Sequence, residues 1–428
     1  MKRKYILVIG LALFLMAGCN NGDSDLPGGS NANSRIETFN LSLLCVGDIM
    51  EHSTQLNAQY DKTTGVYDFN NNYTYVKPYI EQADVAFCNV ETVFADKEPS
   101  GYPLFNAPDS LATALRQTGF DVAFTANNHM LDQGSAGVER TIDVLRANDL
   151  MVVGSKKEGE PNFALIESNG VKIGVVAYTY ETTGGNINGI AIPSSVADRI
   201  CSFDPSNWKS EINKILSDIQ AAKTAGAEIL VCYMHWGEEY HTQPRDYQVG
   251  MTNQILAEAG VDVIFASHPH VIQPAMVLFS EEHQKNVAVF YSLGNFISNQ
   301  RDETLNNRLT EDGMIAQVDF QITKEDGVVK KIDMVKSKAL PTWVNRYKDG
   351  GSEYIYEIIP LDDNYQSNAS LAASGNLTKA QKSITDSANL IGGPYERDEK
   401  GFLIIYDLIK WRLENGYDEF GMKVDAAS

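Results

Sequence analysis

The chain has 428 residues, with 56 acidic against 35 basic side chains and a formal charge of −21. It lacks the clustered Lys and Arg that phosphate neutralisation needs, which excludes nucleic acid as a partner. Hydrophobic residues make up 43%, too many for a disordered chain and enough for a sizeable core.

Met1-Lys2-Arg3-Lys4 is a basic start, and Tyr5 to Ala17 is an apolar run too short for a stable bilayer span. Met16-Ala17-Gly18-Cys19 places small residues before a Cys, like the lipobox of bacterial lipoproteins. The reading is a signal peptide over 1–18, lipidation of Cys19 and attachment to a lipid bilayer. Its removal takes three basic side chains away and leaves 410 residues at a charge near −24. Residues 19–39, rich in Asn, Gly, Ser and Asp up to Ser34, read as a flexible tether. The main domain is expected over 40–345. Residues 346–428 are expected as a partly helical extension packed on it.

Leu41–Val46 reads as a buried strand, Tyr75–Gln82 as helical and Val85–Cys88 as the next strand. Leu111 and Leu115 share a helix face that ends at Gly119, before the strand Val122–Phe124. A helix over Val138–Ala147 leads to the strand Met151–Val153. Phe163–Ile166 and Val171–Tyr178, either side of Gly170, predict a hairpin. The longest helix, Pro205–Ala225, carries Trp208, Ile212, Ile215, Leu216 and Ile219 at helical spacing and precedes Ile229–Tyr233. A helix to Ala259 precedes Val263–Phe265, and Val287–Leu293 follows. This alternation argues for an α/β fold with buried, largely parallel strands. Met314–Ile322 and Val328–Met334, joined through Asp326-Gly327, predict a hairpin in a second, more antiparallel sheet. Tyr354–Ile359 reads as a strand, and Ser383–Leu390 and Phe402–Leu413 as helices. Cys45, Cys88 and Cys232 sit in apolar runs read as neighbouring strands. With Cys201 they are expected to pack as small hydrophobes without a disulfide framework.

Ionisable and amide residues follow strand after strand at the C-terminal end, where open α/β sheets form their ligand crevice. Asp48 follows the first strand, Asn89 and Glu91 the second, and Asn127, Asn128 and His129 the third. His235, then His268 and His270, follow later strands, with His268-Pro269-His270 expected as an extended x-Pro step. Carboxylate, amide and imidazole donors suit one or two divalent ions of Mn, Zn or Fe. A shared carboxylate can hold two such ions roughly 3.5–4 Å apart. A further His outside the ligand set can act as general acid.

These runs resemble the CapA family, the poly-gamma-glutamate capsule biosynthesis proteins. The resemblance rests on Gly47-Asp48-Ile49-Met50, Asn89-Val90-Glu91, and Ala126-Asn127-Asn128-His129 with Asp132 and Gly134. It continues through His235-Trp236-Gly237 with Glu239-Tyr240, Ser267-His268-Pro269-His270-Val271 and Tyr291-Ser292-Leu293-Gly294-Asn295-Phe296, over about residues 41 to 300. That family is similar in turn to calcineurin-like metallophosphatases. The resemblance implies two facing mixed β-sheets flanked by helices, a four-layer α/β/β/α sandwich. It implies Asp48, Glu91, Asn128, His235, His268 and His270 as metal ligands and His129, with Asp132, as the catalytic group. The first motif departs from Asp-x-His, and His52, four residues after Asp48, is the candidate substitute ligand. Trp236, Glu239, Tyr240 and Arg245, just past His235, are candidate substrate contacts, as are Asn89 and Asn295.

The expected function is a membrane-anchored protein of capsule or cell-envelope polymer biosynthesis, a metal-dependent hydrolase or transferase acting on the polymer or its precursor. The alternative is a non-catalytic component of a capsule assembly or export machine, with assembly proteins as partners. A solute-binding lipoprotein is disfavoured, since such binders do not need His and carboxylates at strand ends. The charge opposes a polyanionic substrate such as poly-gamma-glutamate unless cations intervene.

Overall fold

The structure is a computed structural model that describes residues 34–393 and 395–414. The signal segment, Cys19 and the tether up to residue 33 lie outside the described residues. The main strands are β1 (Ile36–Ile49), β2 (Val85–Val90), β3 (Val122–Phe124), β4 (Met151–Val153), β5 (Phe163–Ser168) and β6 (Val171–Tyr180). There follow β7 (Ser202–Phe203), β8 (Ile229–His235), β9 (Val263–Ser267), β10 (Ala275–Ser280) and β11 (Lys285–Phe290). The last are β12 (Asn295–Ile297), β13 (Asp312–Glu325), β14 (Val328–Tyr347), β15 (Ile355–Pro360) and β16 (Leu403–Asp407).

They form two mixed sheets. The first has the order β15-β14-β13-β1-β2-β3-β4, with β12 on β1 and β16 on β14. The second has the order β7-β6-β8-β9-β11-β10, with β5 on β6. Neighbouring residues of a strand serve different layers, as the period of two requires. On β1, Leu43 and Cys45 face the second sheet, packing with Val175, Val231 and Phe265. Leu44 and Val46 face the helices Ser110–Thr118 and Gly134–Ala147. On β8, Val231 and Tyr233 point inward, while Cys232 and Met234 meet the helices Trp208–Thr224 and Asp246–Glu258. Each Leu, Ile or Val buried in these layers contributes roughly 1.5–3 kcal/mol of transfer free energy. Phe124 and Tyr233 stack across the sheets with centroids 4.1 Å apart. The layers are therefore helix, sheet, sheet, helix. Cys45, Cys88, Cys201 and Cys232 are all buried and free. Cys45 and Cys88 lie on neighbouring strands, but Cys232 belongs to the opposite sheet.

Four expectations change. β1 begins at Ile36, inside the stretch read as tether, because β13 pairs with it from Ile36 opposite Glu325. The β13–β14 hairpin opens no second sheet: it extends the first one along the free edge of β1. The boundary drawn at residue 345 falls within β14, on which both β15 and β16 pair. Phe402–Leu413, expected as one helix, is β16 followed by the helix Leu408–Glu414. The edge of β14 overrides the local helical pattern there.

Candidate metal centre

β1 ends in a bulge. Its register on β2 shifts between Val46 and Asp48, which leaves Gly47 out of the ladder. A Cβ on Gly47 would lie 1.9 Å from the Gly294 carbonyl oxygen, so close backbone approach dictates glycine. The Asp48 N–H donates to that same carbonyl at 3.0 Å. Asp48, fully buried, thus stands beside Asn89 of β2 and Asn295 of β12.

The second sheet supplies the imidazoles. His235 ends β8, and His268 and His270 follow β9 in a tight turn. Expected as extended, His268 instead has φ 107° and His270 φ 56°. Left-handed non-Gly residues cost about 1–3 kcal/mol each and concentrate at functional sites. Three contacts hold the turn. The His268 N–H donates to Asp48 Oδ2 at 3.4 Å. The Tyr240 N–H donates to the Pro269 carbonyl at 2.7 Å. His270 Nδ1 lies 3.2 Å from Asp48 Oδ2 and 3.0 Å from Asn295 Oδ1.

Carboxyl ends of both sheets therefore converge on one point. Glu91, His268 and His270 form one group able to hold a metal, and Asp48, Glu91 and His235 form another. Within each group the ligand atoms lie within 4.8 Å of one another, and Glu91 belongs to both. Asn128 Oδ1 is 2.9 Å from His235 Nε2, so it can join the second group. Glu91 Oε1 and His268 Nδ1 are buried without a hydrogen-bond partner. Such orphaned atoms are rare, and a cation would satisfy both. The donor set fits Mn, Zn or Fe.

The electrostatics agree. Burial pushes the Glu91 carboxyl well above its usual range, and Asp48 adds to that. Burial also pushes Asp48 up, but bonds and charge from His270, the charge of His235 and the Asn89 amide bring it below the usual range. Burial holds His235 down to about 3 and His268 well below the ordinary value. Burial acts the same way on His270, yet its contact with Asp48 raises it overall. His235 and His268 are thus held in the neutral form that binds metal, whereas His270 would give up its proton to a cation.

His129 stands apart from both groups. Its Nδ1 lies 2.8 Å from Asp132 Oδ2, which also accepts the Phe105 N–H at 2.7 Å. Asp132 thus orients His129 as a positioning residue, leaving His129 the candidate acid. Asn89 and Asn295, expected to touch substrate, are buried and hold the cluster instead. Asn89 Nδ2 donates to Asp48 Oδ1 at 2.7 Å. Trp236, expected as a substrate contact, is wholly buried in the outer core of the second sheet, where its Nε1–H donates to the Tyr291 carbonyl at 3.2 Å. His52 joins neither metal group. Its Nδ1 is engaged by the Asn299 N–H at 3.3 Å and lies 3.2 Å from Gln55 Oε1. Arg245 pairs with Glu238 on the exposed loop that also carries Glu239 and Tyr240.

Three neighbours escaped sequence reasoning. The Tyr180 ring lies 4.6 Å from His268, and it ends β6, so the strand-end rule could have found it. The Phe105 ring stands edge-on to His129 at 4.6 Å, from a loop with no sequence signal. The hydroxyl of Tyr233 lies 3.4 Å from His235 Nδ1, on a strand residue that reads as core. An open cleft of about 540 Å³, lined by Tyr79, Asp362 and Lys400 among others, shares no residue with the cluster.

The chain is similar to known proteins. Capsule biosynthesis protein CapA of Bacillus anthracis is 28% identical over 272 residues, 62% of this chain and 61% of that protein. PGA biosynthesis protein CapA of Bacillus subtilis is 28% identical over 280 residues, 62% of this chain and 66% of that protein. The chain thus matches less than two thirds of the length of either relative. The crystal structure of the calcineurin-like phosphoesterase YfkN from Bacillus subtilis covers 83% of this chain and 100% of its own at 13% identity and a TM-score of 0.37, too slight a likeness to argue from. The model of the bacterial capsule synthesis protein PGA_cap matches residues 42–300, more than half of the sequence and the whole span of the cluster, and the chain belongs to that family.

Proposed function

We propose that the protein is a metal-dependent hydrolase or transferase that acts on a cell-envelope polymer or its precursor. One observation carries this reading: Glu91, buried and shared by two metal-capable groups, keeps an oxygen without a hydrogen-bond partner. Glu51 is also buried with both oxygens unbonded, but it joins neither metal group; Glu91 is set apart by lying among the candidate ligands of both.

When bound, a divalent cation supplies Lewis-acid polarisation of the scissile group and neutralises the buried carboxylates. Asp48, Glu91, Asn128, His235, His268 and His270 would hold it. The protein's own work is positional. Asn89 and Asn295 fix the orientation of Asp48 and His270, as second partners do around metal ligands. His129, held by Asp132, is placed to deliver a proton to a leaving oxygen or nitrogen. Export and anchoring through lipidated Cys19 complete the proposal and place the site in the cell envelope. Among the described residues no helix is long and apolar enough to cross a membrane.

The test is hydrolysis of a generic phosphoester and of a γ-linked glutamyl amide by protein loaded with Mn, Zn or Fe. Activity on either that is lost in Glu91→Gln supports the enzyme. Absence of bound divalent metal in protein purified under metal-replete conditions, with His268→Ala folding normally and changing nothing, would leave the non-catalytic assembly role. Transfer of labelled lipid to the wild type but not to Cys19→Ser checks the anchor.

A further inference from the structure

We propose that the cleft of about 540 Å³ between the first helices and the C-terminal extension binds an alkylammonium group, held by Tyr365 and Glu399 against the rings of Tyr75 and Tyr79. The cleft shares no residue with the metal cluster, so this site stands apart from that centre. Its walls come from three segments. Tyr75, Tyr79 and Gln82 lie on and beside the short helix Lys77–Ile80. The second segment runs from Pro360 to Ala369, after β15, and the third is the turn of Glu399 and Lys400 before β16. The last two segments lie beyond residues 42–300, which match the family.

Side-chain bonds lock these walls together. The Tyr79 hydroxyl donates to Asp362 Oδ2. Asp362 Oδ1 accepts the Asn364 N–H at 2.9 Å, so this carboxylate is spent on the scaffold. Gly401, with φ 83°, presses the turn onto Asp362: a Cβ there would fall 2.7 Å from the Asp362 Cα. Arg397 Nη1 donates to the Leu361 and Gly401 carbonyls at 3.1 and 2.6 Å and faces Asp363 at 3.6 Å. Lys400 Nζ donates to Gln82 Oε1, which ties the turn to the first segment. Two groups are left over. Tyr365 keeps only 8% of its surface exposed, yet it lines the cleft, and its hydroxyl has no hydrogen-bond partner among the described residues. A phenol buried to this degree ordinarily finds one. Glu399 also lines the cleft and makes no ion pair or hydrogen bond among the described residues.

The chemistry of the lining selects the ligand. An ammonium head has three N–H donors and no acceptor. The Tyr365 hydroxyl and the Glu399 carboxylate can both accept from it, and Tyr75 and Tyr79 add aromatic surface that attracts a cation. Pro78, Pro360 and Ala369 offer apolar surface to an alkyl stem. Asp362, Asp363 and Glu399 place three carboxylates on the walls against Lys400, whose ammonium Gln82 already engages. Even with Arg397 offsetting Asp363, the balance is negative. The same field reaches the Tyr79 hydroxyl. Burial, the bond to Asp362 and the charges of Asp362, Asp363 and Asp398 all push its pKa upward. A neutral ligand would leave Glu399 uncompensated, and an anion would oppose it. The volume is that of a small-molecule site with a few convergent polar groups.

The experiment is calorimetric titration of the full chain with cadaverine, with lysine blocked at both backbone ends, and with the uncharged diol of cadaverine's length. Both amines are expected to bind at one site and the diol not. Tighter binding of the blocked lysine assigns the site to a peptide side chain, and tighter binding of cadaverine to a free diamine. Glu399→Gln, at an exposed position, and Tyr365→Phe, which keeps the ring, should each weaken amine binding roughly tenfold. Glu282→Gln removes the same charge from an exposed turn elsewhere and should leave the affinity unchanged. Equal weakening by Glu282→Gln would mean that net charge alone attracts the amine, and it overturns the proposal. So does binding of the diol as tight as that of cadaverine, absence of amine binding, or indifference to both Glu399→Gln and Tyr365→Phe.

Discussion

Glu91 and Glu311 are both fully buried carboxylates, and the fold treats them in opposite ways. Glu311 is completed by protein. Its Oε2 accepts from Arg301 Nη2 at 2.7 Å and Trp343 Nε1 at 3.1 Å, and its Oε1 accepts the Asp302 N–H at 3.2 Å. Arg301 is itself buried and also donates to the Val344 carbonyl at 2.9 Å. Glu91 has only the Asn89 amide within hydrogen-bond reach, at 3.4 Å to one oxygen, while His235 and His270 Nε2 stand off the other at 3.8 and 3.9 Å. A buried charge that the protein neutralises ties elements together, here β14 to the loop after β12. One left open among imidazoles is kept for a cation.

The largest expected effect tests the closed carboxylate. Glu311→Ala leaves the Arg301 guanidinium buried and unpaired and should cost about 3–5 kcal/mol in urea unfolding, with metal content unchanged. Glu91→Gln should do the reverse, losing metal while the fold holds. If both variants lose stability equally and neither loses metal, the distinction fails. His129→Ala is expected to lower turnover by about 10²–10⁴ without altering metal content, which would separate the proton donor from the ligands. Asn295→Ala removes one of the two partners of His270 Nδ1 and should weaken divalent binding by about 10–100-fold in a competition assay with a chromogenic chelator.

The smallest effect concerns a third buried carboxylate, intermediate between the two. Burial pushes Asp312 up to about 7, against the pull of Arg308 and Ser383. Its folded pKa exceeds the ordinary carboxylate value. The stability it lends is full below that ordinary value and is lost as pH rises through about 7. Between pH 6 and 8 the wild type should lose about 1 kcal/mol through this group, a loss that Asp312→Asn removes. Urea midpoints at the two pH values check it.

By itself the sequence determined the strands, the helices between them and the ligand types. Apolar runs of period two and helical spacing are local signals, and the residue just past a buried strand must sit at its end. Asp48, Glu91, Asn128, His235, His268 and His270 were therefore legible as a set, and their ordered motifs carried the family. Only the tertiary structure decided which sheet each ligand comes from. Asp48, Glu91 and Asn128 belong to the first sheet and the histidines to the second, so the site exists only where the two sheet ends meet. Packing also decided against local reading at Trp236, which fills core, and at His52, which a backbone amide from residue 299 holds outside the metal groups. The left-handed backbone at His268 and His270 has no local cause, since an x-Pro step favours extension. It is imposed by contacts to Asp48, Asn295 and Tyr240, between 25 and 222 residues away in sequence, that no short window of sequence contains.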